Sequence, residues 1–150
     1  MVSEPARHVA LVTGANHGIG AATAEALAGN GCAVVCTYWT IDDPVDPAVP
    51  DVYRVNRAKT ADEVVDRIRE RGGDAVAFAE DLTDPAAAHR LFDHAERVFG
   101  PVDVLINNAT GWVQDTFSPA VVDRHGRAMQ PVTASTWGLS LRSTRWHRRC

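Results

Sequence analysis

The stretch that most constrains this chain is Thr13-Gly14-Ala15-Asn16-His17-Gly18-Ile19-Gly20. Before it runs Val9-Ala10-Leu11-Val12, a short apolar segment with the β-branched character of a buried strand. After it, residues Ala21 to Ala28 are rich in strong helix formers. Each glycine has a separate use in a strand–turn–helix unit. Gly14 lets the chain turn sharply, Gly18 leaves room beside the backbone for a pyrophosphate, and Gly20 lets the helix sit close on the strand. The helix N-terminus then offers unpaired N–H groups and the positive end of its dipole to phosphate oxygens. A glycine-rich turn alone also occurs as a plain tight turn, so the rest of the chain has to decide.

Length and composition set the frame. A chain of 150 residues suits one domain with a real core. Its 45% hydrophobic and 23% charged content is ordinary for a globular protein. A net charge of -4 provides no basic patch for nucleic acid or anionic lipid. No apolar run approaches a membrane span, and Glu4, Arg7 and His8 interrupt any signal-peptide core, so a cytoplasmic location is expected. Cys32, Cys36 and Cys150 do not form a metal-ligand set, and no metal is expected; Cys32 and Cys36 read as buried free thiols.

Along the chain, strands and helices alternate. Strand one is expected over His8 to Val12, a helix from Gly18 to Gly29 or Asn30 with Gly31 as its stop, and a second strand over Ala33 to Tyr38. Residues 40–59 carry Asp42, Asp43, Pro44, Asp46, Pro47, Pro50 and Asp51, which predict a long loop with neither helix nor central strand. Arg54, Arg57 and Lys59 would reach an adenosine 2′-phosphate if that loop folds back; a plain surface loop is the alternative. Thr60-Ala61-Asp62-Glu63 has a capping-box form before a helix that Gly72-Gly73 ends. A third strand covers Ala75 to Phe78, a helix opens at Asp84-Pro85 and runs to Val98, and Val102 to Ile106 is the fourth strand. Such alternation predicts right-handed βαβ units and a parallel sheet. The fold class is α/β: a Rossmann-type, doubly wound sheet of about four strands in the order third-second-first-fourth, incomplete on its C-terminal side.

Three marks now stand in order. Thr13-Gly14-x-x-x-Gly18-x-Gly20 comes first, then Asp81-Leu82 after the third strand, then Asn107-Asn108-Ala109 after the fourth. Together they resemble the short-chain dehydrogenase/reductase family, including its 3-oxoacyl carrier-protein reductases, over residues 8 to about 115. The resemblance implies an oxidoreductase that moves hydride between a nicotinamide cofactor and a small carbonyl or alcohol, and a homo-oligomer for the intact relative. It implies cofactor contacts at Thr13, Gly14, Asn16, His17, Gly18, Ile19, Gly20, Tyr38, Asp81, Leu82, Asn108 and Ala109. Within that set, the Asp81 carboxylate would meet the adenine amino group, and an asparagine of Asn107-Asn108 would bridge neighbouring strand ends. Where many relatives carry an acid for the ribose 2′-hydroxyl of NAD, this chain has Tyr38 followed by Trp39. NADP is therefore expected ahead of NAD. Thr110 departs from the family's Asn-Asn-Ala-Gly, with Gly111 following it.

The family's catalytic Tyr-x-x-x-Lys pair, its serine and its later asparagine find no match. The tyrosines are Tyr38 and Tyr53 and the lysine is Lys59, all before Asn108. No catalytic residue is assigned, and the chain by itself is expected not to turn over. Residues 1–115 read as a cofactor-binding half domain, and 116–150 as an irregular tail whose arginine-rich end is disordered, out of frame near Trp137, or a partner-binding tail. A non-catalytic nucleotide-binding module or an inactive gene remnant is the alternative to an enzyme.

Overall fold

Residues 7–43, 45, 50–110, 115–117, 120–124, 126 and 128–134 are described by a computed structural model of the chain. Strands β1 (Val9–Val12), β2 (Ala33–Tyr38), β3 (Asp74–Ala79) and β4 (Val104–Ile106) form one sheet in the order β3-β2-β1-β4. Every pairing is parallel, with Val12 beside Cys36 on one side and Ile106 on the other. The expected strand order holds, and among the described residues it leaves β4 at an edge.

Parallel neighbours need crossovers, and helices supply them. Helix α1 (Gly18–Gly29) joins β1 to β2 and stops where Gly31 takes a φ of 86°. Helices α2 (Asp51–Arg57) and α3 (Asp62–Glu70) lie between β2 and β3, and α4 (Ala87–Val98) between β3 and β4. Because side chains alternate along a strand, the sheet has two distinct faces. Ala10, Val12, Val34 and Cys36 pack with Ala24, Ala28, Val64 and Ile68 from α1 and α3. Leu11 and Val35 pack with Leu91 and Ala95 from α4.

Three local expectations need correction. The first concerns residues 40–59, where α2 stands in place of a structureless loop. Its prolines all precede it, and Pro50, with φ −56°, occupies the position before the first turn, where proline costs no hydrogen bond. No residue of α2 is buried, so an apolar period could not betray it. Secondly, α4 starts at Ala87 rather than Pro85; Asp84 caps the turn before it by accepting from the Ala86 N–H at 2.9 Å. Lastly, the capping box at α3 does not close. Thr60 Oγ1 accepts weakly from the Asp62 N–H at 3.4 Å, and Glu63 pairs with Lys59 at 3.1 Å instead.

Farther along, β5 (Asp115–Thr116) and β6 (Gln130–Pro131) form a two-residue parallel pair apart from the main sheet. The basic end, from Ser135 on, lies outside the described residues. Among the described residues no helix is long and apolar enough to cross a membrane.

Candidate functional site

The C-terminal ends of the four strands converge on the β1–α1 turn. Thr13, buried, is the knot between β1 and β4: its N–H donates to the Ile106 carbonyl at 3.0 Å, and its hydroxyl oxygen accepts from the Asn108 and Ala109 N–H groups, both at 3.0 Å. Asn108 returns the tie. Its Nδ2 donates to the Thr13 carbonyl at 3.1 Å and to the Gly14 carbonyl at 3.0 Å, so one asparagine side chain bridges two strand ends. On the other side, the Ala15 N–H donates to the Thr37 carbonyl at 2.8 Å and fixes the turn to β2.

The three glycines of the turn meet different surroundings. Gly14 has φ +64°, and a Cβ there would lie 3.1 Å from the Ala109 Cα. A Cβ on Gly20 would lie 2.1 Å from the Gly14 carbonyl oxygen and 2.6 Å from Asn108 Nδ2, which no side chain tolerates. Gly18, at φ +56°, has no atom within 4 Å of that position. The turn is therefore closed against the sheet at Gly14 and Gly20 and open at Gly18, where α1 begins. Ile19 beside it is 79% exposed.

Around this turn the remaining residues divide. Tyr38 is half-buried and packs against the α1–α3 core; burial raises its phenol pKa, and Asp62 adds to the rise. Its carbonyl accepts from the Glu80 N–H at 2.9 Å, which brings Asp81 beside the end of β2. Asp81 Oδ1 is taken by the Thr83 N–H at 2.9 Å and the Thr83 hydroxyl at 2.8 Å. Leu82 turns to the α4 side and packs with its core. Asn16 is buried and faces away from the opening: its Nδ2 donates to the Asn56 carbonyl at 3.3 Å and the Lys59 carbonyl at 3.0 Å. His17 meets the Tyr53 ring edge-on, with centroids 6.5 Å apart. Burial lowers its pKa, the Arg57 charge lowers it further, and its buried Nδ1 has no partner among the described residues.

The cations expected to fold back onto a 2′-phosphate are each held by a carboxylate: Arg54 by Asp51, Arg57 by Asp43 at 2.8 Å, and Lys59 by Glu63. Sequence reasoning missed Tyr53, whose ring lies between His17 and Arg57. It also missed Glu80, which takes two hydrogen bonds from Arg90 at 2.8 and 2.6 Å. Tyr53 gave no sequence signal because it sits in the unrecognised helix. Glu80 immediately precedes the Asp81-Leu82 mark, and its burial (9% exposed) is the tertiary fact that separates the two acids.

The family profile of the short chain dehydrogenases matches residues 8–49 and 50–130. The chain belongs to the short-chain dehydrogenase family. Versicolorin reductase of Emericella nidulans is 40% identical over 101 residues, which is 67% of this chain and 32% of that protein. An uncharacterized oxidoreductase of Methylorubrum extorquens is also 40% identical over 101 residues, covering 67% of this chain and 34% of its own length. Among solved structures, a 3-oxoacyl (acyl-carrier-protein) reductase from Agrobacterium tumefaciens with NADP bound superposes with a TM-score of 0.64 at 30% identity, over 92% of this chain and 42% of that one. A blue fluorescent protein from a metagenomic library, in complex with NADPH, gives a TM-score of 0.64 at 27% identity over 91% of this chain and 44% of that one. This short-chain dehydrogenase chain thus spans about a third of the length of the curated relatives it matches.

Proposed function

We propose that this chain forms the NADP(H)-binding part of a short-chain oxidoreductase. The carrying observation is the contrast at the glycines: Gly14 and Gly20 are closed by the turn's own packing, whereas the Gly18 position is open at the start of α1. Open space beside a helix N-terminus suits a pyrophosphate. Thr13 and Asn108 hold the turn in that shape from below. Gly14, His17, Gly18, Ile19 and Gly20 then line the phosphates with main chain, together with the main chain of Asn16, whose side chain is engaged elsewhere. Ala109 and the backbone of Asn108 border the ribose side. Tyr38, Asp81 and Leu82 border the adenosine side, with one Asp81 oxygen already used by Thr83.

The tyrosine at the end of β2 puts no carboxylate opposite a 2′-phosphate, which favours NADP(H) over NAD(H), and the NADP- and NADPH-bound neighbours support the same choice. When bound, the nicotinamide supplies a hydride to a small-molecule carbonyl or accepts one from a secondary alcohol. In this reading residues 1–115 carry the cofactor site, 116–150 stand outside it, and the whole protein works in the cytoplasm as a homo-oligomer. The proton donor and oxygen polariser of the reaction belong to the part of the relatives that this chain does not span.

The test is a calorimetric titration of the 150-residue chain with NADPH and NADH. NADPH should bind more tightly than NADH, and Gly18→Trp, which fills the open position, should abolish binding. Equal binding by wild type and Gly18→Trp would show that the turn is not the site.

A further inference from the structure

The segment from Pro50 to Lys59 touches the β1–α1 turn at the residues that the sheet does not hold. From the β4 side, Thr13 and Asn108 secure Thr13, Gly14 and Ala109. The far side of the turn is Asn16-His17, and α2 holds both. Asn16 Nδ2 donates to the carbonyls of Asn56 and Lys59, at the C-terminal end of α2 and just beyond it. The Asn56 carbonyl also accepts from the Lys59 N–H at 3.3 Å, so the Asn16 amide adds a second bond there and supplies a donor to the Lys59 carbonyl, which lies past the helix. Two carbonyl acceptors also fix which way the amide points, because only the NH2 end can donate to them. His17 rests edge-on against Tyr53, also from α2. The segment is itself closed onto the exit of β2 by the Ile41 N–H donating to the Arg57 carbonyl at 3.0 Å.

No residue of α2 is buried, so it contributes little to the core. What it does contact is the turn. We infer that α2 is a brace for the phosphate-facing turn and that Asn16 is its positioning residue, holding the main chain from Ala15 to Gly18 in the shape that leaves the Gly18 side open. The inference rests on the NADP(H) reading for its consequence, cofactor affinity, while the brace itself is readable without cofactor.

The test compares wild type with Asn16→Asp, Asn16→Gln, Val55→Pro and the Asn16→Asp/Val55→Pro double variant. Asn16→Asp replaces the donor by an acceptor facing two carbonyls. Val55→Pro breaks α2 from a half-exposed position by removing an N–H and crowding the carbonyl four residues earlier. Asn16→Asp and Val55→Pro should each speed amide exchange at Ala15 and Ala21, whose N–H groups donate to the Thr37 and His17 carbonyls on either side of Asn16, by about tenfold and weaken NADPH by about tenfold, the loss of roughly one hydrogen bond. The double variant should be no worse than either single one, because both remove the same coupling. Asn16→Gln, which keeps the donor, should stay within about threefold of wild type. The melting temperature should change little in any of them. Unchanged exchange at the turn in Asn16→Asp or Val55→Pro, or effects that multiply in the double variant, would overturn the brace. If wild type binds no NADPH, the cofactor reading fails, and the exchange rates alone still decide for or against the brace.

Discussion

The two faces of the sheet are built from alternate residues of the same strands, yet one is closed and the other is half open. On the first, α1 lays Ala21, Ala24 and Ala28, and α3 lays Val64, Val65 and Ile68, over Ala10, Val12, Val34 and Cys36. Even the edge strand contributes there, through Val104 and Ile106. On the second face the buried cluster is Leu11, Val35, Leu91 and Ala95, and among the described residues only α4 lies above it. Leu105 pairs with Leu11 and so shares that face, but it is 36% exposed. Parallel sheets are stable when both faces are covered. The contrast is between a turn and closed face that form one packed unit and an α4 face that ends, among the described residues, at a strand whose Leu105 is exposed.

Adding atoms is the harshest way to probe that contrast. Gly20→Ala drives a Cβ to 2.1 Å from the Gly14 carbonyl on the closed side. It should cost about 3 kcal/mol or more, visible as a loss of the cooperative melt. If Gly20→Ala melts like wild type, the closed face is not as tightly packed as described.

Removing atoms sharpens the comparison with adjacent residues. Val34 and Val35 are both fully buried but point to opposite faces. Val34→Ala should cost about 3 kcal/mol, and Val35→Ala about half of that, because a void relaxes more readily where fewer helices surround it. Chemical denaturation measures both, and equal losses would erase the distinction between the faces.

Acid should loosen the second face. Arg90, hydrogen-bonded to Glu80, holds that carboxyl below its ordinary 4.5, with burial working in the opposite direction. A carboxyl with a depressed folded pKa stabilises in full above its unfolded pKa, and that contribution is lost as pH falls through the folded value. Stability should therefore be level down to about pH 5 and decline below it, with Glu80→Gln flattening the decline by about 1 kcal/mol. Glu25, held by Arg67 and Arg71, does the same between α1 and α3. Exchange should nonetheless rise first at α4 amides, since α4 has less apolar contact to retain it. Earlier loss at α3 would contradict that ranking.

The smallest effect belongs to the open edge. Leu105→Lys should change the melting free energy by less than about 0.5 kcal/mol. It should still raise the monomer fraction in size-exclusion chromatography, because a charge blunts an exposed edge strand. A clean wild-type monomer at high concentration would show that the edge is not sticky.

Much of the architecture follows from local sequence. The apolar run at Val9, the glycines of the turn, the Gly31 stop and the apolar run at Ala33 set β1, α1 and β2 almost to the residue, because their causes lie within a few positions. The strand order came from the alternation of strands and helices and the bridging asparagine from the three marks, and the structure places Asn108 across the ends of β1 and β4 as that resemblance implies. What failed was α2. Its helix is short, follows three prolines and buries nothing, so neither periodicity nor composition distinguishes it from loop. Side-chain direction was equally hidden. Asn16 stands in the glycine turn, and only tertiary structure turns its amide to the carbonyls beyond α2. Arg57 carries the charge a phosphate would seek, and only tertiary structure sets Asp43 against it. Sequence determined the turn because a glycine's conformational freedom is a property of the residue itself. Tertiary structure decided the partners, because a hydrogen bond between residues forty positions apart depends on where the intervening chain returns.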